Sequence, residues 1–208
     1  VRTRVGDYRL QGILPSTMVN FLALLGWSPG GDREVMSLGD MIALFSTDGL
    51  LRKGSVFDPK KLEWMNGQHL ALTPAVDLAP VVASALIAAG LTTEDDPRLR
   101  REWYLALLHL LRVRARTIDD IVRQARPYFV DDIEYDADAV AKQWKDRDAT
   151  AGLLVATRDR LSVVPDWSVP SLEGALRELA EMRNLPAGKL FQPLRVALTG
   201  TAVSPGIF

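Results

Sequence analysis

Along almost the whole chain, apolar residues return at intervals of three and four. No alternating pattern lasts more than a few positions. Spacing of three and four puts side chains on one face of an α-helix, and spacing of two builds a strand, so this pattern restricts the chain to an all-α fold. In 14-LPSTMVNFLALLGW-27 the stripe is Met18, Phe21, Leu22 and Leu25. Pro15 suits a first helical position and Gly26 a helix end. In 97-PRLRREWYLALLHLLRV-113 it is Leu99, Trp103, Ala106, Leu107 and Leu110, which predicts a core-facing helix.

Start and stop signals divide these patterns. Ser37 with Asp40 three residues on has capping-box spacing. Asp58 before Pro59 predicts a helix over 59–66 that stops at Gly67. Asp77 is expected to cap a helix running to Gly90, with Pro80 in its first turn. Thr117 caps 118–126, stopped by Pro127. A third block begins around 131–144, and helical patterns continue through 150–161 and 171–182. Ser168 and Pro170 mark the start of the last of these, and Asn184 and Pro186 its exit. Breaks fall near 70–76 and 128–136. No internal repeat or low-complexity tract is present.

Composition narrows the function classes. The 208 residues are 48% hydrophobic and 25% charged, which suits a folded globular chain. The absence of cysteine excludes disulfides, thiol catalysis and cysteine metal sites, and fits a reducing compartment. The run 78-LAPVVASALIAAGL-91 is too short to span a membrane. Residues 1–10 lack a signal-peptide core, and a start at Val1 without Met suggests a fragment or processed chain. A net charge of -1 gives no sign of a nucleic-acid partner, but a local basic patch is compatible with it.

Catalytic chemistry is hard to find. His69 and His109 are far apart and lack metal-ligand spacing. His109 lies in an apolar helix and is read as packed, whereas His69 is read as a helix-end or exposed residue. The pairs Asp119–Asp120 and Asp131–Asp132 are adjacent, and the first pair suits the positive end of a helix. No phosphate-binding glycine motif occurs, and 30-GG-31 reads as a turn.

Two arginine-bearing segments remain. In 112-RVRAR-116, three arginines alternate across a short helix–helix connection. They serve either as solvated charge at a helix C-terminus or as guanidinium groups presented to RNA, where they can pair with phosphate, bond base edges and stack. The residues leave both readings open. The closing run 192-QPLRVALTGTAVSPGIF-208 sets Arg195 before a Ser204-Pro205-Gly206 turn and apolar Ile207. Exposed turn backbone beside an apolar side chain can receive a flipped base, although many turns share this form.

Three stretches carry a family resemblance. Residues 12–45, 56-VFDPKKLEWMNGQHL-70 and 192–208 resemble, in order, the segment after the KMSKS-type loop, the "VFD…KL.WMNG.Y" signature and the "QPLR.ALTG…SPGLF" signature of bacterial-type glutamyl-tRNA synthetase. The resemblance implies a class I enzyme that joins glutamate to tRNA using ATP and Mg2+. The HIGH-like and KMSKS-like motifs are absent here, so it implies a non-catalytic, tRNA-binding portion that holds no cofactor itself. It implies a stem-contact region over 1–72 and two helical anticodon-binding subdomains over 73–130 and 131–208, with the family's final helix missing. Arg114 aligns with the family's third-base reader, flanked by Arg112 and Arg116 as further candidates. Arg195, Ser204, Pro205, Gly206 and Ile207 align with its other anticodon contacts. Lys53, Lys60 and Lys61 are basic candidates for the stem. The expected partner is tRNA(Glu), with no DNA or membrane, and the expected form is a cytoplasmic or organellar monomer. The competing readings are a synthetase-derived helical module that no longer recognises tRNA and a purely structural helical domain.

Overall fold

The computed structural model describes residues 4–52 and 54–208. Among them the regular structure is helical, apart from one isolated antiparallel bridge between Trp27 and Leu50. The chain divides into two compact units, Val1–Arg126 and Pro127–Phe208. The regions expected at 1–72 and 73–130 thus fall almost wholly within the first.

The first unit opens with α1 (Val5–Leu10), α2 (Pro15–Gly26) and α3 (Leu38–Leu44), followed by α4 (Pro59–Leu72) and α5 (Ala75–Ala88). It continues with α6 (Glu102–Arg112) and α7 (Ile118–Phe129), and the division between the units falls near the end of α7. α2 packs on α4, and α5 on α6. Between α2 and α4, Met18, Phe21, Leu62 and Met65 form one apolar cluster with Ile13, and Phe57 meets Phe21 edge-on at 5.0 Å.

Local caps start α3, α4 and α7 as expected. Ser37 and Asp40 form a full capping box on α3, and Asp58 accepts from the amides of Lys60 and Lys61 at the start of α4. At α7, Thr117 Oγ1 accepts from the Asp120 amide at 3.1 Å while the Asp120 carboxylate accepts from the Thr117 amide at 3.1 Å. Each pair satisfies amides that the first helical turn leaves without partners.

Several expected boundaries move. α4 does not stop at Gly67 but runs through it to Leu72. Pro74, not Asp77, precedes α5, which puts Asp77 inside the first turn and Pro80 one turn deeper. α7 continues past Pro127 to Phe129. A proline removes one helical hydrogen bond without ending a helix that tertiary packing holds. The core face of α6 is rotated from the expected stripe: Tyr104, Leu107, Leu108 and Leu111 are buried, whereas Trp103 and Leu110 are about two-fifths exposed (39% and 42%). In an almost wholly apolar helix, spacing cannot choose between adjacent faces.

The two histidines exchange their expected roles. His69 is buried and His109 exposed. His69 Nε2 lies 3.0 Å from Asn20 Oδ1, which also accepts from the Met36 amide at 2.8 Å. Because that oxygen is an acceptor, His69 carries its proton on Nε2.

The second unit comprises α8 (Ala137–Gln143), α9 (Arg147–Ser162), α10 (Val169–Met182) and α11 (Ala187–Thr199). Residues 131–136 precede α8 as non-helical chain, within the break expected near 128–136. α10 packs against α9 and α11, burying Leu153, Leu176, Leu179, Ala180, Leu190 and Leu194 together. Asn184, in the left-handed region at φ 52, terminates α10 as its position suggested.

Candidate nucleic-acid interface

The arginine junction, residues 112–117, is fixed by four points of attachment within the first unit. At its start, Arg112 turns inward. One of its guanidinium nitrogens donates to the carbonyls of Leu70, Ala71 and Thr73, the last at 2.8 Å, and the other lies 3.2 Å from His109 Nδ1. The cation therefore satisfies the carbonyls at the end of α4, which no backbone amide reaches. Arg112 is thereby engaged in holding α4.

From there the chain alternates. Arg114 and Arg116 are exposed, while Ala115 and Ile118 are buried. Arg116 Nη1 stands 3.8 Å from the Glu63 carboxylate, an exposed and weak pairing. The Arg116 amide donates to Asp120 at 2.9 Å. Asp120 thus holds two consecutive amides of the junction and one end of a helix.

Asn66 anchors the inner side. Its side chain is fully buried and makes four hydrogen bonds. Nδ2 donates to the Gly12 carbonyl at 3.0 Å and to the Arg116 carbonyl at 2.6 Å. Oδ1 accepts from the Leu14 amide at 2.8 Å and from Thr17 Oγ1 at 2.9 Å. One amide group therefore ties the start of α2, the middle of α4 and the arginine junction together. Close backbone packing completes the joint. The Ile118 amide donates to the Gly12 carbonyl at 3.3 Å. A Cβ on Gly12, whose φ is +72°, would stand 2.5 Å from that Ile118 nitrogen, and one on Gly67 would stand 3.2 Å from the Ala115 carbonyl. The WMNG stretch thus has a physical division of labour: Met65 fills the core, Asn66 bonds three segments, and Gly67 lets the junction approach.

In the second unit, Arg195 and the closing turn are brought together. Arg195 Nη1 donates to the Ser204 carbonyl at 2.8 Å, Ser204 Oγ at 2.6 Å and the Pro205 carbonyl at 2.6 Å. The expected exposed turn backbone is therefore corrected: Ser204 and Pro205 are buried, and their carbonyls are taken by Arg195. A half-buried guanidinium needs acceptors, and the turn supplies them. Gly206 remains exposed, and Ile207 and Phe208 pack against the α9–α10–α11 core. Phe208 meets Phe191 edge-on at 5.3 Å. Tyr128 also senses this cation: burial raises its phenol pKa, and the charge of Arg195 opposes the rise.

Of the stem candidates, Lys60 is exposed and Lys61 pairs with Glu34, while Lys53 lies outside the described residues. Sequence reasoning missed Asn66, Asp120, Gly12 and Tyr128. Only Asp120 carried a local signal, at the third position after Thr117.

Set beside known proteins, residues 76–208 match the family described as "Anticodon binding domain". The chain belongs to that family. Residues 2–64 match the class I (E and Q) tRNA synthetase catalytic domain. Similar proteins include the glutamate–tRNA ligase of Moorella thermoacetica, 32% identical over 99% of this chain, and that of Anaeromyxobacter sp. (strain K), 37% identical over 99%. The chain spans 42% of the length of each. A solved structure of a glutamate tRNA ligase from Elizabethkingia meningosepticum, in complex with its amino acid, superposes with a TM-score of 0.78 at 27% identity. That match covers 96% of this chain and 38% of the other.

Proposed function

We propose that this chain is the tRNA-binding, anticodon-recognising portion of a glutamate–tRNA ligase. The full-length enzyme would join glutamate to tRNA(Glu) at the expense of ATP, with Mg2+. The observation that carries this reading is the pair of arginine-centred elements held on rigid helical supports, one at 112–117 and one at Arg195 with the Ser204 turn. The second lies wholly within the family match, as does the first. Reading an anticodon means taking unpaired bases from a loop, which needs guanidinium groups and backbone polar groups fixed in place.

In this reading Arg114, exposed at the junction, contacts the third anticodon base, and Arg116 stands beside it. Arg195 orders the turn from within: Ser204, Pro205 and Ile207 pack beneath it and hold its shape, and the exposed Gly206 faces the loop. Arg112 acts by fixing α4. Residues 1–72 would contact the tRNA stem, with 73–130 and 131–208 as the two anticodon-binding subdomains. The isolated chain carries no ATP site and does not aminoacylate. It acts as a cytoplasmic monomer.

Binding to unmodified transcripts of glutamate and glutamine tRNA at two salt concentrations tests the reading. The expected result is salt-sensitive binding that favours the glutamate anticodon. Failure to bind either transcript at low salt, or glutamyl-tRNA formation by the isolated chain, would overturn it.

A further inference from the structure

The second unit carries two adjoining concavities that the Arg195 turn does not use. The first, about 390 Å³, is lined by Tyr135, Trp144, Arg147 and Thr150 over an apolar floor that includes Leu154. That volume lies in the range of small-molecule pockets, roughly 300–1,000 Å³. Its two aromatic rings are anchored at their polar ends. Trp144 Nε1 donates to the Pro193 carbonyl at 3.3 Å and the Tyr135 hydroxyl to the Ala197 carbonyl at 3.3 Å. The ring centroids lie 5.4 Å apart. Side chains held this way lose little freedom when a flat ligand stacks on them.

The second cleft, about 590 Å³, shares Thr150 with the first and is lined by Lys142, Lys145, Arg183 and Lys189. Among the described residues none of these four cations, nor Arg147, forms an ion pair. Elsewhere in the same unit Arg158, Arg160 and Arg177 all do, with Asp159, Glu178 and Glu173. The one acid lining the cleft, Asp146, is engaged in capping α9 through the Ala149 amide at 3.0 Å. The cleft lining therefore carries four cations against one carboxylate beside the aromatic pocket, in a chain whose net charge is -1.

A stacking surface beside a cationic groove is how proteins hold single-stranded nucleic acid: the rings take a base and the cations follow the phosphates. We propose that this face binds one unpaired nucleotide of tRNA in the Tyr135–Trp144 pocket, with its flanking phosphates along the lysine cleft. The inference rests on the tRNA-binding reading above and adds a site to it. The site is separate from the anticodon readers. Lys189 and Pro193 line the cleft from one face of α11, and Arg195, two residues on, points about 200° further round the helix.

The experiment is a salt titration of the 208-residue chain with an unmodified tRNA(Glu) transcript, repeated for three variants. Lys142→Glu with Lys189→Glu should weaken binding about tenfold or more and flatten the salt slope by about 1.4, at about 0.7 per single-strand phosphate. Arg147→Glu should also weaken binding and flatten the slope. Tyr135→Ala should weaken binding about fivefold or more with the slope unchanged, because stacking releases no ions. All three should keep the anticodon preference that Arg114→Gln removes. The charge variants sit at exposed positions, so circular dichroism should match the parent. Salt-dependent binding by the parent with unchanged affinity and slope in all three variants would overturn this site and leave the anticodon reading standing. A parent that binds no tRNA at low salt would overturn both.

Discussion

The Asn66 side-chain amide donates to the Arg116 carbonyl at 2.6 Å, so a buried residue of α4 fixes the backbone on which the exposed arginines are mounted. The same side chain bonds Gly12, Leu14 and Thr17 at the start of α2. Asn66→Ala should cost about 3 kcal/mol or more, since it leaves several buried polar groups without partners. Asn66→Asp keeps the oxygens but loses both donated bonds. Denaturant unfolding gives the stability, and tRNA binding by Asn66→Asp should lose anticodon preference along with Arg116 placement. Parent-like stability in Asn66→Ala would show that the joint is held by other contacts.

Gly12 and Gly67 are close-approach glycines of different kinds. Gly12→Ala combines a left-handed backbone with a collision against Ile118, and should cost about 2 kcal/mol or more. Gly67→Ala sits in regular helix, where alanine gains about 1 kcal/mol over glycine. That gain opposes the displacement of the Ala115 carbonyl, so the net change should stay within about 1 kcal/mol. Thermal melts of the two variants should rank in that order.

Arg112 and Arg114, two residues apart, should separate stability from recognition. Arg112→Ala frees the α4 carbonyls and should cost about 1.5–3 kcal/mol. Arg114→Gln should lower the melting temperature far less, yet reduce preference for the glutamate anticodon by the equivalent of about 1–3 kcal/mol. An unchanged preference in Arg114→Gln would refute its assignment.

His69 gives the fold an acid sensitivity. Burial lowers its pKa below the ordinary 6.5, so near that pH the unfolded chain binds more protons than the folded one. Its contribution is complete above about pH 6.5 and is lost as pH falls toward the lower folded value. Stability measured from pH 7.5 to 5 should therefore fall, and His69→Gln should flatten the fall. A parallel decline in both proteins would assign it to carboxylates instead.

Arg195→Ala should loosen the closing turn, because three acceptors on Ser204 and Pro205 lose the bonds that Arg195 donates. Faster hydrogen exchange over residues 201–208, with α9 and α10 unchanged, is the expected signature. A lysine at 195 can reach one acceptor but lacks the planar fork, so Arg195→Lys should recover only part of the protection.

The sequence by itself determined the all-α class, the caps of α3, α4 and α7, and the family signatures. Ser37 with Asp40, Asp58 before Pro59, and Thr117 act within one helical turn, so neighbours in sequence suffice to recognise them. The roles assigned to Arg114 and Arg195 come from the family resemblance: Arg195 lies inside the 192–208 signature, and Arg114 is placed by alignment through 114–125. Tertiary structure decided the rest. Helices pass through Pro127 and Pro193 because packing outweighs one lost hydrogen bond, and through Gly67 because packing outweighs its low helix propensity. The buried face of α6 depended on α5, since nearly every position of α6 is apolar. His69 became the buried histidine only where Asn20 met it across 49 residues of chain. Asn66 likewise joins segments some fifty residues apart, and Arg195 closes on a turn that its own helix does not contain. Hydrogen bonds of that range arise from the approach of packed helices, which no local pattern of residue types encodes.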